Sequence, residues 1–418
     1  MEPPPIRRGR PASPRDNHPD PPEQEDPGSR LIISDPRAHC RTPSLGPQSP
    51  GEVALAVDDG LKAGGARSDS ARDFRVATWN VWFSERSKWR RWETLLSISF
   101  ADRPQVVCFQ EVTDIFLEIL QQSTVISSEY FIVGEPLQNW YDVVMLVRSD
   151  LNVRQTRNVK LVTQQTRRLL VADLGVATGA IVRVATAHFE SGRDAAHLRR
   201  IQLDAAFQEV DPWRSGSDLK LAGAVLCGDF NMCATSEENA KVVSSGFFDL
   251  WPLLRGEEPG FTEDSEINLM LTTSSKLKSA RKVRFDRILL RVPPVLEPGR
   301  RSVGPSDGGV ILTPRGPEAP PSARTPLNSA RDGAAAPAAP SLTVVGHLCW
   351  ALKALVTPRY RLELPVVPED ADPAWEAVGI ELLGTAPVPG CEELWPSDHF
   401  GLEARLQLRD QAPAPTPQ

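Results

Sequence analysis

The feature that most constrains this chain is a recurrence. Strand-like runs repeatedly give way to an acid, an amide or a histidine. VATWN ends in Asn80, VVCFQE ends in Glu111, VLCGDFN carries Asp229 and Asn231, and WPSDHFG carries Asp398 and His399. A fifth run, VATAHFES, puts His188 at its end. Strand ends are rigid, so side chains placed there can converge on one pocket with fixed geometry. Taken singly, each motif has a bland explanation. QE after a strand reads as a solvated turn, GDxN as a turn capping a helix, SDH as a helix N-cap, and a strand-end histidine as a core residue. Five of them in one chain, in these contexts, point instead to a shared site.

The residue types narrow its chemistry. A carboxylate with amides and histidines suits zinc poorly, because zinc takes three or four N or S ligands. It suits magnesium, which accepts one or two carboxylates, keeps several waters and leaves positions for phosphate oxygens. Manganese is the alternative cation.

Alternating strand and helix signals connect these motifs. Phe74–Thr78, Gln105–Phe109, Asp142–Val147, Leu169–Leu174, Ile181–Ala187, Lys220–Cys227, Val283–Leu290 and Gly401–Leu408 read as strands. Lys88–Phe100, Val112–Gln121 and Asp194–Val210 have helical spacing of their apolar residues. Several strand pairs lack an intervening helix, so the pattern predicts an α+β layered domain rather than a purely parallel one.

The 39 prolines are too many for uniform packing. Residues 1–72 are predicted to be a disordered tail, as are residues 410–418, with a disordered insert at about 293–341. The folded domain is then 73–409. A net charge of −7 argues against bulk electrostatic binding of nucleic acid while allowing a local basic groove. Six cysteines without a CxxC pair read as reduced thiols. No apolar stretch reaches membrane-spanning length, and the Pro- and Arg-rich start is no secretory signal. The expectation is a monomer inside the cell, nuclear or cytoplasmic.

The ordered series TWN, QE, HxES, GDFN, FDRI and SDH, from residue 78 to residue 399, resembles the endonuclease/exonuclease/phosphatase superfamily. HFESGRDAAHLRRIQL (His188–Leu203) and RFDRILLR (Arg284–Arg291) are similar to its tyrosyl-DNA phosphodiesterase branch. The resemblance implies a four-layered α/β sandwich, two mostly antiparallel sheets flanked by helices. It also implies a magnesium-dependent phosphodiesterase, with 5′-phosphotyrosyl-DNA adducts, and hence DNA repair, as one substrate class. The alternative is a phospholipid, an inositol phosphate or RNA in the same kind of site. A binding module that had kept only the fold would be expected to have lost Glu111, Asp229 or His399.

By the same resemblance, Glu111 would ligate the metal with Asn80 in support. Asp229 would orient and deprotonate the attacking water, with Asn231 as its partner on the phosphate. His188 and His399 would donate to phosphate oxygens, Asp398 would orient one of those rings, and Asp286 would be a supporting residue. Arg193, Trp140 and Tyr141 are the candidates for substrate contact. Arg167, Arg168, Arg199 and Arg200 are basic groups that either meet phosphate or are solvated. Four residues depart from the pattern: Trp82 where an aspartate is expected, Met232 and Cys233 where a basic residue is expected, and Glu263 where a tryptophan is expected.

Overall fold

The structure is a computed structural model that describes residues 46–63, 72–134, 137–213, 221–233, 236–274, 280–293 and 374–409. All of these lie in one compact unit, Thr42–Gln418. Two six-stranded sheets form its centre. The first contains β1 (Asp73–Asn80), β2 (Val106–Thr113), β3 (Tyr130–Val133), β4 (Tyr141–Arg148), β13 (Trp375–Leu383) and β14 (Gly401–Leu408), in the order β13-β14-β1-β2-β4-β3. The second contains β5 (Asn152–Lys160), β6 (Arg168–Gly175), β7 (Ile181–His188), β8 (Leu221–Asp229), β9 (Phe248–Asp249) and β12 (Asp286–Arg291), in the order β5-β6-β7-β8-β12-β9. Each sheet has one parallel pair, β1 with β2 and β7 with β8, and its other pairs are antiparallel. A short hairpin, β10 (Glu263–Asp264) with β11 (Lys282–Val283), stands apart.

The apolar alternation of the strands builds this stack. Val76, Cys108, Met145, Val184, Val225, Cys227 and Ile288 belong to one buried cluster drawn from both sheets. Cys108 and Cys227 within it are free thiols. A second cluster joins the other face of the first sheet to α1 (Pro50–Ala63), α2 (Lys88–Ala101), α3 (Asp114–Gln122) and α4 (Thr124–Glu129). A third joins the second sheet to α5 (Ala196–Val210) and α6 (Asn239–Ser245). The shorter α7 (Leu250–Arg255) and α8 (Met270–Ser274) lie in the connections. The expected four-layered sandwich is what forms, helix on sheet on sheet on helix.

One expectation needs correcting. The predicted tail 1–72 contains α1, whose Val53, Ala54, Val57 and Leu61 are buried with the residues of α2 and α3. Prolines and glycines around it mask an apolar stripe that is only four residues wide. Asp58 on α1 is also buried, and it accepts from the Ser123 and Thr124 hydroxyls and the Thr124 and Val125 N–H groups. Burial alone would raise this carboxyl, but those donors at the start of α4 hold it below the usual range. The rest of that tail up to residue 45, residues 64–71, the insert 294–341 and the terminus 410–418 lie outside the described residues.

Candidate functional site

The five motifs meet because both sheets end at the same place. His188 closes β7 directly opposite Asp229 on β8, and Asp229 pairs in register with Asp286 at the start of β12. A row His188–Asp229–Asp286 therefore runs across the second sheet. From the first sheet come Asn80, at the end of β1, and Glu111, at an irregularity in β2 between Phe109 and Val112. Asn80 joins the sheets: its amide nitrogen donates to Glu111 Oε1 at 3.2 Å and to Asp229 Oδ2 at 3.1 Å. Its amide oxygen accepts from the Trp82 N–H at 3.0 Å. Glu111 Oε2 takes the Phe83 N–H at 3.3 Å.

The backbone is strained where these side chains are aimed. Glu111 has φ 60° and Asn231 has φ 49°, left-handed values that non-glycine residues avoid. Gly228, just before Asp229, has φ +130°, and a Cβ there would lie 2.1 Å from the Ala187 carbonyl oxygen. The glycine of GDFN thus allows the close approach of β7 to β8 that sets Asp229 beside His188.

Hydrogen bonds define the state of each histidine. Arg167 donates from a terminal guanidinium nitrogen to His188 Nδ1 at 3.0 Å, so Nδ1 carries no proton. His188 Nε2–H then faces Asp229 Oδ2 at 3.3 Å. Burial drives this ring down to about 3, with Asp229 only partly opposing it, so the imidazole is neutral. His399 is the reverse. Burial would lower it, but Asp286 Oδ2 at 2.8 Å on Nδ1 and Glu263 Oε1 at 3.1 Å on Nε2 hold it well above the usual histidine range. It is an imidazolium.

The carboxylates are in excess. Burial, reinforced by Asp398, pushes Glu111 up to about 7. Burial raises Asp398 to about 6 against the charges of His399 and Arg91. Burial likewise raises Asp286. Asp229 is lowered: burial opposes ionisation, but the two histidines, the Asn231 N–H and the Asn80 amide outweigh it. Ligand atoms of Asp229, Asp286 and His399 lie within 4.8 Å of one another. Buried oxygen ligands that resist ionisation for want of positive charge fit a hard divalent cation. Glu111 adjoins this group through the Asn80 amide.

Some expected residues stand elsewhere. Asp398 bonds to neither histidine ring; its Oδ1 accepts from the Ser397 hydroxyl at 3.3 Å. Asp286 orients His399 instead, because a strand places it opposite Asp229, whereas the Asp398 carboxylate takes the Ser397 hydroxyl. The Asn231 amide donates to the Phe189 carbonyl, which fixes the turn after β8. Arg193 is exposed in a 3₁₀ turn, Arg193–Ala195, and no hydrogen bond or ion pair joins it to the cluster. Arg168 and Arg199 are buried structural groups, paired with Asp142 and Glu238. Trp140 is 62% exposed and packs edge-on against Phe83 and Tyr141. Tyr141 lies 6.3 Å from the His188 ring, with Arg167 over its face. Phe83 and Arg91 are site residues sequence reasoning missed, and Glu263 entered it only as a departure from the pattern. Arg91 is buried, donates to the carbonyls of Arg86, Val81, Pro396, Trp82 and Ser84, and stacks on Trp82. Only its arginine on an apolar helix face hinted at this.

The Endonuclease/Exonuclease/phosphatase family matches residues 77–399, from β1 to His399. The chain belongs to that family. Among curated proteins, tyrosyl-DNA phosphodiesterase 2 of Danio rerio is 26% identical over 198 residues, 46% of this chain and 50% of the relative. The aligned part thus spans about half the length of that relative. The fold is similar to D. rerio TDP2 complexed with single strand DNA product (TM-score 0.52, 16% identity, covering 81% of this chain and 100% of that one). It is also similar to TDP2 from Caenorhabditis elegans (TM-score 0.53, 17% identity, covering 85% and 80%).

Proposed function

We propose that this chain hydrolyses phosphodiester bonds with the help of a divalent cation, magnesium or manganese. The supporting observation is the Asn80 amide, hydrogen-bonded at once to Glu111 of one sheet and Asp229 of the other, with both histidines around Asp229. Glu111 would hold the cation, which when bound supplies charge neutralisation at a phosphoryl oxygen. Asp229, ionised and fixed by the Asn231 N–H and the Asn80 amide, orients a water and accepts its proton. His399, positively charged, donates to a phosphoryl oxygen as negative charge develops. His188, with its tautomer set by Arg167, offers an Nε2–H on the other side of Asp229. Asn231 supports the loop that presents Asp229. Positioning and electrostatics, rather than covalent chemistry, account for the rate.

DNA ends, with 5′-phosphotyrosyl adducts among them, are the substrate this reading favours. The relative's name supports it, as does the exposed Trp140 with Phe83 and Tyr141, a surface on which a base or tyrosine ring stacks. Arg193 and Arg167 are the cations proposed to meet the phosphate chain. A monomer in the nucleus or cytoplasm goes with this substrate; no helix among the described residues is long and apolar enough to cross a membrane. A second reading, another phosphoester in the same site, is favoured by Glu263 facing His399.

The test is hydrolysis of bis-p-nitrophenyl phosphate and of a 5′-tyrosyl oligonucleotide, with magnesium and with EDTA. Turnover should require the cation and fall at least about a hundredfold in Asp229→Asn. Activity on the first substrate alone would discard the DNA-adduct reading, and activity on neither would discard the proposal.

A further inference from the structure

Both ring nitrogens of His399 are engaged from within the protein, Nδ1 by Asp286 and Nε2 by Glu263. Nδ1 is committed, because Asp286 is built into the ladder opposite Asp229 and its own N–H is held by the Thr262 hydroxyl. Only Nε2 remains for a phosphoryl oxygen, and a carboxylate oxygen sits on it at 3.1 Å. We propose that Glu263 stands in the free protein where a phosphoryl oxygen stands in the complex, so that every substrate must displace it from His399. This rests on the phosphodiesterase reading.

Carboxylate and phosphoryl oxygens are interchangeable as acceptors of a charge-assisted hydrogen bond, so the two compete for one donor. The backbone of this segment is pinned. Thr262 N–H donates to the Val283 carbonyl, Phe400 N–H donates to the Thr262 carbonyl, and the Thr262 hydroxyl accepts from the Phe285 and Asp286 N–H groups. Displacement is therefore a side-chain rotation. A receiver is in place: Arg281 already pairs with the other Glu263 oxygen, its side chain is 37% exposed, and it lies over the Phe285 ring at 5.1 Å. A rotated Glu263 keeps this ion pair at the rim of the site.

The consequence is selectivity. A small phosphoryl compound must displace Glu263 with its own oxygens alone. A longer substrate draws on contacts beyond the reacting group, such as the Phe83–Trp140–Tyr141 surface, to drive the exchange. Glu263 thus discriminates against minimal phosphoesters.

The experiment measures binding of inorganic phosphate by calorimetry in the presence of magnesium, for the full chain and for Glu263→Gln and Glu263→Ala, with thermal melts to establish that each is folded. Phosphate should bind about tenfold tighter to the Ala variant, the effect of losing one charge-assisted competitor. The Gln variant, which keeps the shape without the charge, should fall between. The KM for bis-p-nitrophenyl phosphate should drop by more than that for an oligonucleotide. Unchanged or weaker phosphate binding in a folded variant overturns the inference, and Gln alone suffices if Ala does not fold. Tighter phosphate binding in the variants without any diester turnover keeps the occlusion and sinks the activity reading. Turnover in the parent chain with no effect of Glu263 on phosphate does the reverse.

Discussion

Replacing Glu111 with glutamine should stabilise the metal-free protein at neutral and alkaline pH. In the fold the Glu111 carboxyl titrates at about 7, against the ordinary 4.5, because burial and the neighbouring Asp398 oppose its charge. A raised carboxyl binds its proton more tightly in the folded state than in the unfolded one. Stability from this group is therefore complete below about pH 4.5, declines as pH rises to about 7, and is fully lost above. At about 1.4 kcal/mol per pH unit, ionised Glu111 costs the metal-free fold about 3 kcal/mol. Other groups titrate in this window, and His188 acts in the opposite sense, so the informative quantity is the difference between the parent chain and Glu111→Gln. Urea denaturation can follow the buried Trp79, Trp92 and Trp375 by fluorescence. In EDTA the variant should be more stable by about 3 kcal/mol at pH 8 and indistinguishable near pH 4.5. Magnesium should shrink the gap at pH 8, because it stabilises only the chain that can present a carboxylate. A variant no more stable than the parent at pH 8 in EDTA would refute the reasoning.

Asp286→Asn should lower kcat about ten- to a hundredfold with little change in KM, the usual effect of weakening a ring-orienting partner. It should also move the alkaline limb of the pH–rate profile to lower pH, since Asp286 is the main group holding the His399 imidazolium against burial; pH–rate measurement of the variant checks both. Gly228→Ala should destabilise by roughly 3 kcal/mol or more, because it combines a forbidden φ with a Cβ against the Ala187 carbonyl; a urea melt reads it directly.

Strands buried on both faces announce themselves as nearly continuous apolar runs, which is why β2, β6, β7 and β8 were readable from VVCF, LLVADL, IVRVATA and LAGAVLC, while β14 was readable from the apolar–polar alternation of GLEARLQL, whose Arg405 and Gln407 are exposed. The edge strand β5, NVRQTRNVK, was not, since its largely polar residues face solvent and only pairing with β6 makes it a strand. Helix α1 was hidden by its proline-rich surroundings, and its place is fixed by tertiary contacts such as that of its Asp58 with the Thr124 N–H at the start of α4. In the site, residue types at strand ends were sufficient to bring Asn80, Glu111, His188, Asp229 and His399 together. They were not sufficient for partners. Asp398 adjoins His399 in the chain but takes the Ser397 hydroxyl, whereas Asp286 and Glu263 reach the ring from 113 and 136 residues away in sequence. Ladder register and a hairpin decide that, and neither can be read from local spacing.

The central claim is that Glu111 on one sheet holds a hard cation beside the base Asp229 on the other. Electron paramagnetic resonance of Mn²⁺ titrated into the purified chain measures this directly. One tight site should be seen that is lost or strongly weakened in Glu111→Gln and weakened less in Asp229→Asn. Tight Mn²⁺ binding that survives Glu111→Gln would place the cation elsewhere and contradict the account.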